Sequence, residues 1–117
     1  MKYLFIINDA PYGTEKAYSA LRISMQIKKD YPENKVWISL MADATTCALS
    51  NQNTPNGYYN IERMLKSIIS KGGEVKICGS CAEARGIKTL QLIEGAAISN
   101  MSELAKWTTD AEKVLIF

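Results

Sequence analysis

Two cysteines stand in the run Ile77-Cys78-Gly79-Ser80-Cys81, at the end of the apolar stretch Val75-Lys76-Ile77. A thiol is a nucleophile when ionised, and at an ordinary pKa of about 8.5 only a few per cent is thiolate at neutral pH. The placement of Cys78 favours the anion. The stretch before it reads as a strand and Cys81–Arg85 as a short helix, so exposed helix-terminal amides would lie beside the sulfur. Lys76 or Arg85 would add positive charge if its side chain turned toward the sulfur, and Gly79 would permit a close backbone approach or a left-handed turn. Cys78 is therefore the candidate catalytic nucleophile. Cys81 reads as a resolving thiol or as an ordinary helix residue. Cys47, on an apolar helical segment, reads as a packing residue, as a lone cysteine commonly is.

The sequence contains no histidine. That removes Ser-His-Asp and Cys-His nucleophilic systems, the HExxH zinc site and the usual near-neutral acid–base group. Chemistry must rest on thiols, carboxylates, tyrosines, lysines, the backbone or a partner. The C-x-x-C spacing suits a thioredoxin-like redox pair, although that motif normally follows an early strand and opens a long helix. It also suits half a zinc site, but no second pair and no histidine complete one within the chain. No metal and no organic cofactor is expected. The seven glycines form neither G-x-G-x-x-G nor G-x-x-x-x-G-K-[ST], which argues against nucleotide sites of those kinds. Asp9 and Asp43 each follow a predicted strand at the same sheet edge as Cys78. They read as proton donors or acceptors, or as loop and N-cap residues.

Strand-like and helix-like runs alternate along the chain, the pattern of a mostly parallel sheet covered by helices. The strands are expected at Lys2–Asn8, Lys35–Met41, Glu74–Cys78, Ala96–Ser99 and Lys113–Phe117. A helix is expected over Thr14–Lys29, with Thr14 as N-cap and Tyr31-Pro32 as its stop. Ile61, Met64, Leu65, Ile68 and Ile69 recur at helical spacing over Ile61–Ser70, capped by Asn60 and ended by Gly72-Gly73. Asn100 and Glu103 stand at capping-box spacing before a helix near Met101–Thr109. Asp43 is expected to cap a short helix over Ala44–Ser50, and the polar run Ser50–Tyr59 then leads to Asn60. The helix after Asn60 must return to the opposite edge before the third strand. Its N-terminus and the preceding loop therefore belong near the carboxyl edge of the sheet, where open parallel sheets bind ligands. That loop reads as a mobile cover, or as an ordinary surface or oligomer contact.

At 117 residues the chain has the length of one domain, taken here as 1–117, with enough apolar residues (47%) for an ordinary core. Fourteen basic against twelve acidic residues leave a formal charge of +2, and the longest basic run is Lys28-Lys29. Nucleic-acid binding demands a more concentrated patch. The opening apolar run Tyr3–Ile7 is too short for a signal peptide, and no segment reaches the roughly 18 to 20 apolar residues of a membrane helix. A cytoplasmic protein is expected, with reduced thiols, no direct nucleic-acid partner and no membrane.

The order of several short motifs resembles the DsrE/DsrF/TusD-like family, closest to its YchN-like branch. They are Asn8-Asp9-Ala10-Pro11-Tyr12-Gly13, Met41-Ala42-Asp43-Ala44, Gly57-Tyr58-Tyr59-Asn60-Ile61, Ile77–Ile87, and the ending Leu104–Thr108 with Lys113–Leu115. The resemblance spans nearly the whole chain. It implies a three-layer α/β/α fold with a mainly parallel five-stranded sheet and assembly into homo-oligomers, often trimers or hexamers. Relay members carry sulfur as a cysteine persulfide between donor and acceptor proteins, and their sulfur-carrying cysteine maps onto Cys78. Cys81 matches the second cysteine of the YchN-like branch. The leading expectation is a persulfide carrier built on Cys78, with Cys81 as resolving thiol and Arg85, Gly79, Asp9, Asp43 and Tyr12 as supporting residues. A non-catalytic oligomeric binding module for a small ligand or protein is the second reading, and a Cys78/Cys81 dithiol oxidoreductase the third.

Overall fold

The computed structural model describes residues 1–117. Five strands run β1 (Lys2–Ile7), β2 (Lys35–Leu40), β3 (Glu74–Cys78), β4 (Ala96–Ser99) and β5 (Lys113–Ile116), interleaved with helices α1 (Lys16–Asp30), α2 (Ile61–Ser70), α3 (Gly79–Ala84) and α4 (Met101–Asp110). A 3-10 segment, Ala42–Ala48, follows β2. The sheet order is β4-β3-β2-β1-β5 and every pairing is parallel. This is the expected α/β architecture.

Strand alternation assigns the two faces. Phe5, Ile7, Val36, Ile38, Leu40, Val75 and Ile77 face a large core shared with Ala17, Ala20 and Leu21 of α1 and Ile61, Leu65 and Ile68 of α2. Leu4 and Trp37 point the other way and meet Trp107 of α4, whose ring stacks on Trp37 at 5.2 Å. Lys76, on that second face, lies 4.4 Å over Trp107 and pairs with Glu103 at 3.2 Å.

Helix α2 forms where its apolar spacing places it. Asn60 Oδ1 accepts from the Arg63 amide at 3.0 Å, and the chain turns out of the helix through Gly72 at φ +90°, a conformation open to glycine. Four local expectations are corrected. Helix α1 begins at Lys16: Glu15 occupies the cap position, while the Thr14 hydroxyl donates to Asp9 and accepts from the Lys16 amide. The short helix after β2 is 3-10 and starts at Ala42, so Asp43 lies inside its first turn and its carboxylate turns to Arg85 instead of capping. Helix α3 opens at Gly79, earlier than the expected Cys81. At α4, Asn100 accepts from the Glu103 amide, but the Glu103 carboxylate takes Ser99 and Lys76 as partners and leaves the capping box half made.

Candidate functional site

Cys78 is both the last residue of β3 and the N-cap of α3. A helix leaves its first amides without intrahelical acceptors, and a cap must take one of them. Here the cap is sulfur: Sγ of Cys78 accepts from the Cys81 amide at 3.4 Å. The Ser80 hydroxyl lies 3.4 Å from the same sulfur and donates to it when the thiol ionises. Gly79 allows the turn through close packing, since a Cβ there would stand 2.9 Å from the Ser99 carbonyl of β4 and 3.2 Å from Cγ2 of Ile98.

The three thiols differ in environment. Burial pushes the half-buried Cys78 thiol up, but the Cys81 thiol, the Ser80 hydroxyl and the amides of both residues outweigh it, leaving Cys78 below its ordinary value. Cys81 is raised, first because its thiol proton is shared with Cys78 and then by burial, against the opposing pull of the Ala42 amide and the Arg85 charge. Burial pushes Cys47 up to about 12, and its thiol points to the Asp9 carbonyl at 3.8 Å. The pair therefore divides its labour: Cys78 is the easier thiol to ionise and Cys81 keeps its proton.

The structure brings only some of the predicted supporting residues to the sulfur. Lys76 is occupied by Glu103 and Trp107, on the α4 face. Arg85 Nε donates to Asp43 at 2.8 Å and Nη1 to the Cys81 carbonyl at 3.1 Å, so these two residues reach the second cysteine rather than the first. The Asp9 carboxylate accepts from Thr14 at 2.8 Å and lies 4.0 Å from Lys16. Tyr12 has a fastening role. Its hydroxyl donates to Gln52 at 2.5 Å and accepts from the Ile61 amide at 3.1 Å. Gln52 in turn donates to the carbonyls of Cys47 and Leu49, and its amide donates to the buried Glu62. Tyr12, after β1, thus ties the loop before α2 to the start of that helix.

Ser80 and Ala42 were not singled out by sequence reasoning. Ser80 carried a legible signal, a hydroxyl within reach of a helix-capping sulfur. Ala42 carried none, because its φ of 49° is a conformation that alanine rarely adopts. The largest concavity of the surface, about 610 Å³, is lined by Tyr18, Arg22, Met25 and Met64 among others and does not include Cys78.

The DsrE/DsrF-like family model matches residues 1–117. The chain is 39% identical to Protein YchN of Escherichia coli over 116 residues, covering 99% of this chain and 98% of that protein. It is 39% identical to protein MJ0989 of Methanocaldococcus jannaschii over 117 residues, the full length of both. The crystal structure of the E. coli YchN protein superposes with a TM-score of 0.90 at 36% identity, covering 100% of this chain and 99% of that one.

Proposed function

The chain belongs to the DsrE/DsrF-like family, a family of sulfur-relay type, and from that membership we propose that it is a persulfide carrier acting through Cys78. The observation that carries the reading is the sulfur-capped turn. One thiol at a sheet edge accepts a backbone amide and faces a hydroxyl donor, and it is the most easily ionised of the three. Loading requires the Cys78 thiolate to attack a sulfane sulfur, with the donor's leaving group departing as an anion. Unloading is the reverse transfer to an acceptor thiolate. The donors that stabilise the Cys78 thiolate also stabilise it as the leaving group when the terminal sulfur is handed on. Both steps need one exposed sulfur and an approaching partner.

In this reading residues 1–117 act as one domain, a homo-oligomer of trimeric or hexameric kind, in the cytoplasm, between a donor and an acceptor protein. No helix is long and apolar enough to cross a membrane. The dithiol oxidoreductase, the third reading of the sequence, is the alternative that the closeness of the two cysteines favours, the Cys81 amide lying 3.4 Å from Sγ of Cys78. Intact-mass measurement after exposure to polysulfide separates the two. In the carrier, Cys81→Ser gains one sulfur atom and Cys78→Ser gains none. Loss of loading in both folded variants rejects the one-cysteine carrier and favours the dithiol enzyme.

A further inference from the structure

Arg85 follows α3, and its guanidinium joins two segments that flank the cysteine turn: Asp43 through Nε at 2.8 Å and the Cys81 carbonyl through Nη1 at 3.1 Å. Asp43 comes directly after Ala42, whose left-handed backbone is a strained conformation that its surroundings must hold. The Thr45 hydroxyl donates to the Ala42 carbonyl at 2.9 Å, and the Arg85 ion pair anchors the next residue along. Helix α3 is packed on this 3-10 segment. The Ala42 amide and the Arg85 charge both favour a Cys81 anion. An uncompensated guanidinium beside the Cys81 carbonyl would favour the Cys81 anion further and bring it closer to competing with Cys78. The Asp43 carboxylate balances that charge and fixes where it sits.

We propose that the Asp43–Arg85 pair is a positioning and charge-balancing clamp on Cys81, and so protects a sulfur carried on Cys78 from attack by the Cys81 sulfur. The protective consequence rests on the persulfide-carrier reading, whereas the clamp itself rests on the contacts of Arg85 with Asp43 and the Cys81 carbonyl. The restrained reaction balances without an external oxidant. The Cys81 thiolate forms a bond to Sγ of Cys78, the bond from that Sγ to the terminal sulfur breaks, and the terminal sulfur leaves with the electron pair as hydrosulfide. Cys81 is oxidised to its half of a disulfide, the departing sulfur is reduced, and the thiol proton passes to solvent.

The test uses Asp43→Asn, which removes the charge yet still offers an oxygen to Nε of Arg85, at a side chain that is 69% exposed. Native wild type and variant are labelled with iodoacetamide at neutral pH with no sulfur source, and each cysteine is quantified by peptide mass. The Cys81-to-Cys78 labelling ratio is expected to rise roughly two- to fivefold in Asp43→Asn, the scale of a partly exposed ion pair, and to return in Asp43→Glu. An unchanged ratio overturns the clamp whether or not the protein carries sulfur. In a second arm the proteins are loaded with polysulfide and hydrosulfide release is followed. Release is expected to quicken by a similar factor in Asp43→Asn and to stop when Cys81→Ser is added. Unchanged release beside a changed labelling ratio overturns the protective role. Failure of the wild type to load overturns the carrier reading and its protective consequence, while the labelling ratio still decides the clamp.

Discussion

The backbone amide of Cys81 donates to Sγ of Cys78 across 3.4 Å, so the second cysteine serves the first through its main chain. The acidity of Cys78 thereby depends on the geometry of one turn. The neighbouring cations are committed elsewhere, Lys76 to Glu103 and Arg85 to Asp43.

This arrangement predicts the order of thiol reactivity. Alkylation of the native protein near neutral pH should label Cys78 fastest and Cys47 slowest. The Cys78 pH–rate profile should be displaced to lower pH than that of a free thiol, following the direction of its shift. Ser80→Ala should move that profile back up by roughly half a unit to one unit, because a hydrogen bond to a charged partner is worth about 1.5 kcal/mol before solvent screening. Residue-resolved labelling across pH checks both statements, and faster labelling of Cys47 than of Cys78 would reverse the assignment.

The sheet, its helices and the candidate nucleophile were legible in the sequence because each is a local pattern. Apolar runs marked β1, β2 and β3, 3.6-residue spacing marked α2, and C-x-x-C at a strand end marked Cys78. What escaped was set by contacts between segments. The partner of Arg85 could not be read because Asp43 is remote in sequence and looked like a helix cap. Tyr12 stood in a recognisable motif, yet its grip on Ile61 and Gln52 depends on how α2 returns across the sheet. The left-handed Ala42 contradicts its own residue preference and could be seen only in the fold.

Gly79→Ala tests the packing beneath the site. The new Cβ would meet the Ser99 carbonyl at 2.9 Å, and a backbone atom of a paired strand has little freedom to retreat. A loss of about 1–3 kcal/mol in stability is expected from overpacking, together with slower labelling of Cys78 as the turn is pushed away from β4. Urea unfolding and alkylation measure the two effects. Wild-type stability with wild-type labelling would contradict this view of the turn.

Cys47 should shape stability at alkaline pH. Burial raises its folded value to about 12, whereas an unfolded thiol titrates near 8.5. The folded state therefore binds the proton more tightly. Its contribution is full below about pH 8.5 and is lost as pH rises toward about 12. Cys47→Ala should cost about 1 kcal/mol at neutral pH through the lost packing and should flatten the alkaline decline. Parallel alkaline limbs in the two proteins would show that Cys47 does not titrate in this way.

The apolar residues left exposed at the sheet edges bear on assembly. Val114 and Ile116 lie on β5, and Ile98 on β4, the two outer strands of the sheet. Exposed apolar groups on unpaired edges are sites for contact between copies. Light scattering at micromolar concentration should give a mass above that of one chain, and Ile116→Lys should lower it if β5 contributes. A monomeric mass throughout a wide dilution series would count against assembly.

The final prediction separates what the Cys81 backbone does from what its thiol does. Cys81→Ala keeps the amide that donates to Cys78 and removes the side-chain donor, whereas Cys81→Ser restores a hydroxyl in place of that donor. The pH–rate profile of Cys78 should therefore rise in Cys81→Ala and lie closer to wild type in Cys81→Ser. A sulfur loaded on Cys78 should behave differently. Its internal discharge requires a thiol to close the disulfide, so it should persist equally long in both variants and longer than in wild type. Two measurements on the same pair thus follow two different rules, one tracking the donor and the other the nucleophile. Equal Cys78 profiles in the Ala and Ser variants would remove the side-chain donor from the account. Discharge as fast as wild type in either variant would show that Cys81 does not resolve the persulfide.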